Sequence, residues 1–158
     1  MTKISLAAVS SLPPKSYDKG DTENATENLI DELRELQNVL FAQQKYSLLV
    51  VLQGMDASGK DGVIKEVFSG VNPMGCRVQG FKKPTEEEMS HDFLWRIHRN
   101  MPAKGMIHIF NRSHYEDVVI QKVHKWVDDK TIQQRYEHIN AFEKLVLSNN
   151  TVILKFYL

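Results

Sequence analysis

The stretch Ser47-Leu48-Leu49-Val50-Val51-Leu52-Gln53-Gly54-Met55-Asp56-Ala57-Ser58-Gly59-Lys60 joins a continuous apolar run, rich in β-branched residues, to a loop bounded by glycines. Such a run suits a strand buried on both faces, as in a parallel sheet. The loop has the form G-x-x-x-x-G-K and leads into Asp61-Gly62-Val63-Ile64-Lys65-Glu66-Val67-Phe68, which reads as a helix. Glycines at both ends let the backbone wrap with its N–H groups facing inward, the lysine adds a point charge, and the helix N-terminus adds partial positive charge. The expected phosphate-binding residues are therefore Gly54, Met55, Ala57, Ser58, Gly59, Lys60 and Asp61. Two positions depart from the common form of this loop. Asp61 stands where a Ser or Thr normally follows the lysine, and Asp56 puts negative charge inside a phosphate loop. That charge is costly beside phosphate unless Asp56 meets a metal ion or accepts a proton.

Outward from this stretch the theme repeats. Strands are expected at Cys76–Gly80, Met106–Asn111 and Thr151–Phe156. A long amphipathic helix is expected from Thr22 to Lys45, with Leu29, Leu33, Leu36 and Leu40 on one stripe. Thr85-Glu86-Glu87-Glu88 and Thr131-Ile132-Gln133-Gln134 read as capping boxes, the first opening a helix that ends near Asn100-Met101-Pro102 and the second a helix to Asn149-Asn150. Residues 1–21 read as an arm, because Ser10-Ser11-Leu12-Pro13-Pro14 is not helical and Asp18-Lys19-Gly20-Asp21 is turn chemistry. Residues 22–158 form one unit with alternating strands and helices, which means an α/β fold with a mostly parallel sheet and right-handed crossovers.

Composition narrows the function classes. The 158 residues carry 20 Lys+Arg against 20 Asp+Glu, so no bulk charge favours nucleic acid. A single cysteine, Cys76, excludes an intramolecular disulfide and a multi-cysteine metal site, and suits a reducing cytoplasm. No apolar run approaches the roughly 20 residues of a membrane helix, and Met1 to Ser16 is too polar for a signal peptide.

In a parallel sheet, ligands lie beyond the carboxyl ends of the strands. Phe110-Asn111-Arg112-Ser113-His114-Tyr115-Glu116-Asp117 is therefore expected beside the phosphate loop. Asn111 holds the place where phosphate-loop enzymes usually present an aspartate to Mg²⁺. Arg112 is aimed at phosphate, or else pairs on the surface with Glu116 or Asp117. His114 and Tyr115 read as packing residues. Lys82, in Phe81-Lys82-Lys83-Pro84, also falls at the carboxyl edge and either holds a polyanion or belongs to a solvated loop, while Arg96 and Arg99 share a helix side that is either solvated or phosphate-facing.

Four ordered motifs carry a family resemblance: Gly54-Met55-Asp56-Ala57-Ser58-Gly59-Lys60-Asp61-Gly62, Gly80-Phe81-Lys82-Lys83-Pro84-Thr85, Phe93-Leu94-Trp95-Arg96, and Ile109 through Val118. From about residue 25 onward the chain resembles the family-2 polyphosphate kinases. The resemblance implies a P-loop, thymidylate-kinase-like three-layer sandwich. It also implies Mg²⁺-dependent phosphoryl transfer from inorganic polyphosphate to nucleoside mono- and diphosphates: AMP and ADP, with GMP and GDP as further acceptors. Asp56, Lys60, Asn111 and Arg112 are then the catalytic positions, with Asp56 the metal ligand. Asn111 followed by Glu116 resembles the class that accepts monophosphates as well as diphosphates, with Glu116 facing the nucleotide base.

The resemblance also implies a C-terminally incomplete core, because family members continue past the last strand into an arginine-bearing lid. On that reading residues 1–158 bind phosphate, turn over very slowly or not at all, and self-associate as a homo-oligomer through an open sheet edge. The partners expected are polyphosphate and nucleotides, with neither nucleic acid nor membrane. Two other readings of the residues are an ATP-dependent nucleotide kinase and a non-catalytic phosphate-binding remnant. A guanine-nucleotide switch is disfavoured, because no Asn-Lys-x-Asp motif occurs.

Overall fold

The computed structural model describes residues 9–10, 12–124 and 126–158. Residues 1–8 and 11 of the expected arm lie outside them. The first helix begins before the expected end of the arm: α1 spans Lys19–Gln43, because Asp18 caps it by accepting from the Gly20 and Asp21 N–H groups. The arm therefore ends at Asp18 rather than at residue 21, and Lys19-Gly20-Asp21, read as a turn, is the first helical turn. Gln44 in the left-handed region closes the helix.

Four strands form one all-parallel sheet in the order β2-β3-β1-β4, with β1 at Ser47–Gln53, β2 at Cys76–Gly80, β3 at Ile107–Asn111 and β4 at Thr151–Tyr157. Each matches an expected strand to within one residue at either end. β1 is central and buried, as its apolar run requires. Its register places Leu52 beside Asn111 on one side and beside Phe156 on the other, so the ends of three strands lie level.

Side chains alternate to the two faces and build two cores. Leu49, Val51 and Phe110 pack with Phe81, with Ile97 of α4 (Trp95–His98), and with Phe142 and Val146 of α6 (Asp129–Ser148). On the opposite face Val50, Leu52, Ile107 and Ile109 meet Leu40 of α1 and Val63, Ile64 and Phe68 of α2 (Lys60–Phe68). This helix–sheet–helix arrangement is the expected three-layer sandwich, a P-loop kinase fold. Gln37, buried on α1, fixes the first layer by exchanging two hydrogen bonds with the backbone of Asn72.

Two further expectations need correction, and one helix was not expected. The helix expected from Thr85 to Asn100 is two short pieces, α3 (Glu86–Met89) and α4. The Thr85–Glu88 capping box is present, but the Asp92 side chain accepts from the Leu94 N–H and turns the chain between the two. The long C-terminal helix opens at Asp128, whose carboxylate accepts from the Thr131 N–H; Thr131 is the third helical residue and not the cap. A helix with no counterpart in the sequence reading, α5 (Glu116–Val123), follows β3. Among the described residues no helix is long and apolar enough to cross a membrane.

His114 and Tyr115 are packing residues, as expected, within a polar knot under α6. Glu143 accepts from Tyr115 Oη at 2.7 Å, Lys155 Nζ at 2.7 Å and His114 Nε2 at 3.3 Å. Burial alone raises a carboxyl, but these bonds from His114, Lys155 and Tyr115 outweigh it and hold Glu143 down at about 2. A depressed folded value means the stability it contributes is complete above the ordinary carboxyl value of 4.5 and drains away as pH falls toward about 2. Glu143→Ala leaves His114 and Tyr115 without their acceptor and should cost about 2–3 kcal/mol at neutral pH. A thermal melt at pH 7 should fall by roughly 5–10 °C, and the gap between wild type and variant should narrow at pH 3.

Candidate active site

The loop between β1 and α2 is built by backbone that glycine permits. A Cβ on Gly54 would collide with the Leu158 carbonyl oxygen and the Ser58 side chain. Gly59 caps α2 in the left-handed region at φ 92°, and Ala57 adopts a left-handed φ of 62° without being glycine. α2 has no side-chain cap, so its leading amides face the loop without a carboxylate or hydroxyl partner from the chain. Those amides are the anion-facing groups that the sequence pattern predicts.

Lys60 is 7% exposed and lies back across the loop. Its Nζ donates to the Met55 carbonyl at 2.6 Å, the Gly54 carbonyl at 3.0 Å and Ser58 Oγ at 3.2 Å. The lysine thus ties the loop to itself as well as supplying charge.

β3 delivers the second half of the site. Asn111, its last residue, donates through Nδ2 to Asp61 Oδ1, so the asparagine that stands in the usual aspartate's place contacts the aspartate that follows the loop lysine. Arg112 follows with a left-handed φ of 64°. Its backbone N–H donates to the Leu52 carbonyl at 3.0 Å, locking the turn to β1. For a side chain as large as arginine this conformation costs about 1 kcal/mol or more. The turn aims the guanidinium along the loop: Nη2 bonds the Asp56 carboxylate and Nη1 reaches Glu116 Oε2 at 3.2 Å. The ion pair with Glu116 is the surface pairing expected as the alternative to a phosphate role, and the contact with Asp56 brings the guanidinium to the loop.

Asp56, Ala57, Ser58, Gly59, Lys60, Asp61, Gly62, Asn111 and Arg112 line one cleft of about 360 Å³. Arg112 also borders two adjoining clefts. One, of about 670 Å³, includes Gln53, Gly54, Met55, Asp56, Tyr115, Glu116, Val119, Ile120 and Tyr157. The other, of about 540 Å³, runs past Lys82, Lys83, Glu116 and Trp126. Every residue expected at the site therefore falls on this connected surface at the carboxyl edge of the sheet, with Lys82 at its far end and Glu116 shared by the two larger clefts.

Arg96 is different. It is only 5% exposed: it borders the cleft that runs past Lys82 and Glu116, but does not line the phosphate-loop cleft. Its guanidinium donates to the Lys82 carbonyl at 2.9 Å and pairs with Asp117 at 3.2 Å and Glu88 at 3.5 Å, so it anchors the Lys82 loop to the start of α5. Burial raises the Asp117 carboxyl and Arg96 works against that rise. Arg99 is the exposed one of the pair, lying over the Trp95 ring. The sequence reading also missed Gln53, whose Nε2 donates to Glu116 Oε1 at 2.8 Å.

The polyphosphate kinase 2 family model matches residues 16–158. The chain belongs to that family. Its curated relatives include the AMP/ADP-polyphosphate phosphotransferase of Meiothermus ruber, 52% identical over 126 residues that cover 80% of this chain and 47% of the relative. The ADP-polyphosphate phosphotransferase of Rhodopseudomonas palustris is 41% identical across 82% of this chain and 49% of its own length. The chain spans about half the length of these curated relatives. The crystal structure of polyphosphate kinase 2 from Arthrobacter aurescens TC1 superposes with a TM-score of 0.95 at 41% identity, covering all of this chain and 58% of that one. The resemblance carried by the four motifs is thereby confirmed as family membership, and the loop, Asn111, Arg112 and Glu116 lie in the matched region of a polyphosphate kinase 2.

Proposed function

We propose that this polyphosphate kinase 2 transfers a phosphoryl group from the end of an inorganic polyphosphate chain to a nucleoside mono- or diphosphate, AMP and ADP foremost and GMP and GDP besides. The carrying observation is that Lys60, Asp56, Asn111 and Arg112 converge on one cleft, while Arg112 and Glu116 border the next. An oxygen of the acceptor's terminal phosphate attacks the terminal phosphorus of polyphosphate. The bond from that phosphorus to the bridging oxygen breaks, and the polyphosphate leaves one unit shorter. Such a reaction needs positioning and charge neutralisation more than covalent help. Lys60 and the α2 amides offset charge on the donor, and Arg112 offers a planar fork to the transferring group. A phosphate entering the cleft competes with Asp56 for Arg112, which frees the aspartate.

Asp56, which is 91% exposed at its side chain, Asp61 and the side-chain amide oxygen of Asn111 are hard oxygen donors among the residues lining the same cleft. They fit Mg²⁺, an ion commonly held by one or two carboxylates together with substrate phosphates. When bound there, Mg²⁺ supplies further neutralisation of phosphate charge. Asp56→Asn should raise the Mg²⁺ concentration needed for half-maximal transfer several-fold; an unchanged metal titration would leave Asp56 without a metal role.

Lys82 extends the cationic surface toward the nucleotide side, and Glu116 accepts hydrogen bonds from an exocyclic amine of the base. The reading includes self-association, supported by Val152, Leu154 and Phe156 exposed along edge strand β4. It also includes a reducing cytoplasmic setting, supported by the lone, half-buried Cys76.

The testing experiment supplies AMP with Mg²⁺ and either polyphosphate or ATP as sole donor, and follows ADP formation. Polyphosphate should be the better donor. Transfer from ATP alone would replace this reading with that of an ATP-dependent nucleotide kinase.

A further inference from the structure

Four side chains form a continuous bonded chain across the site: Gln53 at the end of β1, Glu116 at the start of α5, Arg112 after β3, and Asp56 in the phosphate loop. Glu116 is its hinge. One carboxylate oxygen, Oε1, accepts from Gln53 at 2.8 Å, and the other, Oε2, accepts from Arg112 at 3.2 Å. Two donors on two oxygens fix the plane of the carboxylate, which leaves only its remaining lone pairs to face the clefts. The Gln53 amide has its own orientation set. Ser113 Oγ donates to Gln53 Oε1 at 3.4 Å, and the opposite amide orientation would set its carbonyl oxygen against a carboxylate oxygen. Glu116 is 16% exposed at its side chain, so a loose carboxylate there would lose part of its solvation without a substitute donor.

We propose that Gln53 is a positioning residue for the acceptor nucleotide: it holds the Glu116 carboxylate in the orientation that receives the base, without touching polyphosphate. The inference rests on the functional reading above, in which Glu116 meets the nucleotide. Arg112 keeps Asp56 as a second partner when Gln53 is altered, so the phosphate side of the site stays in place. Changes at Gln53 therefore separate acceptor binding from donor binding.

The test is a calorimetric titration of the chain with AMP, with ADP and with a polyphosphate of defined length, for wild type, Gln53→Leu and Gln53→Glu, with a thermal melt of each. Gln53→Leu removes the hydrogen bond to Glu116 together with the longer one from Ser113 Oγ, and should weaken both nucleotides about fivefold to tenfold. Polyphosphate affinity should stay within about twofold, since no phosphate-side partner is lost. Gln53→Glu keeps the shape but sets a carboxylate against Glu116, so it should weaken nucleotides more than Gln53→Leu does. A purely structural role predicts the reverse order, because the isosteric variant fills the same space. Equal affinities in all three proteins, equal losses for nucleotide and polyphosphate, or a larger effect of leucine than of glutamate would each overturn the proposal. Failure of the wild-type protein to bind any nucleotide would instead overturn the functional reading, and the proposal with it.

Discussion

Lys60→Ala is expected to lower the rate of phosphoryl transfer by about a hundredfold to a thousandfold, the loss typical of removing one preorganised charge stabiliser. Its ammonium is the cation nearest the loop backbone, bonded to the Gly54 and Met55 carbonyls and to Ser58 Oγ. Those same bonds predict a second effect. Without them the loop loses its internal tie, so the variant should also lose about 1–2 kcal/mol of stability. Turnover and a melting curve measured together check both. A rate above about a tenth of wild type would remove Lys60 from the mechanism, since that is far less than a principal charge stabiliser contributes.

Arg112→Ala should be at least as damaging, about a thousandfold in rate, because an arginine that meets the transferring phosphoryl group is worth that much or more. A strained backbone also holds this side chain in place. The backbone at Arg112 is left-handed, pinned to the Leu52 carbonyl, and serves to point the guanidinium between Asp56 and Glu116. Arg112→Lys keeps the charge and loses the fork, so it should recover little of the rate. A lysine variant within about threefold of wild type would show that position 112 supplies only charge. Stability of Arg112→Gly should stay within about 1 kcal/mol of wild type, because glycine tolerates this φ while Glu116, 16% exposed at its side chain, keeps Gln53 as its remaining donor.

How far the site could be read in advance follows from which physics sets each residue. The buried β1 run, the glycine-bounded loop and the polar run after β3 are local patterns. The parallel sheet then forces their ends together, so Asp56, Lys60, Asn111 and Arg112 were placed correctly on adjacent strand ends. Gln53 was not, because a polar residue closing an apolar strand reads as its boundary; only the register of β1 against β3 brings it under Glu116. Arg96 was legible only as a charge on a helix. α4 is a single turn whose orientation is set by Ile97 entering the core, and that turn carries Arg96 inward to Asp117. The two helix starts illustrate a further limit. Asp128 and Thr131 are spaced so that either suits a cap, and the bond from the Thr131 N–H to the Asp128 carboxylate decides between them. At Asp18 turn chemistry and helix capping use the same residue type, so only the fold tells them apart.

If the cleft between the phosphate loop and Arg112 receives the end of a polyphosphate chain, calorimetric titration of polyphosphate, with and without Mg²⁺, should respond to Lys60→Ala and Arg112→Ala. Saturable binding that strengthens with Mg²⁺ and weakens by tenfold or more in each variant is expected. Polyphosphate binding of equal strength in wild type and both variants would contradict that role for the cleft.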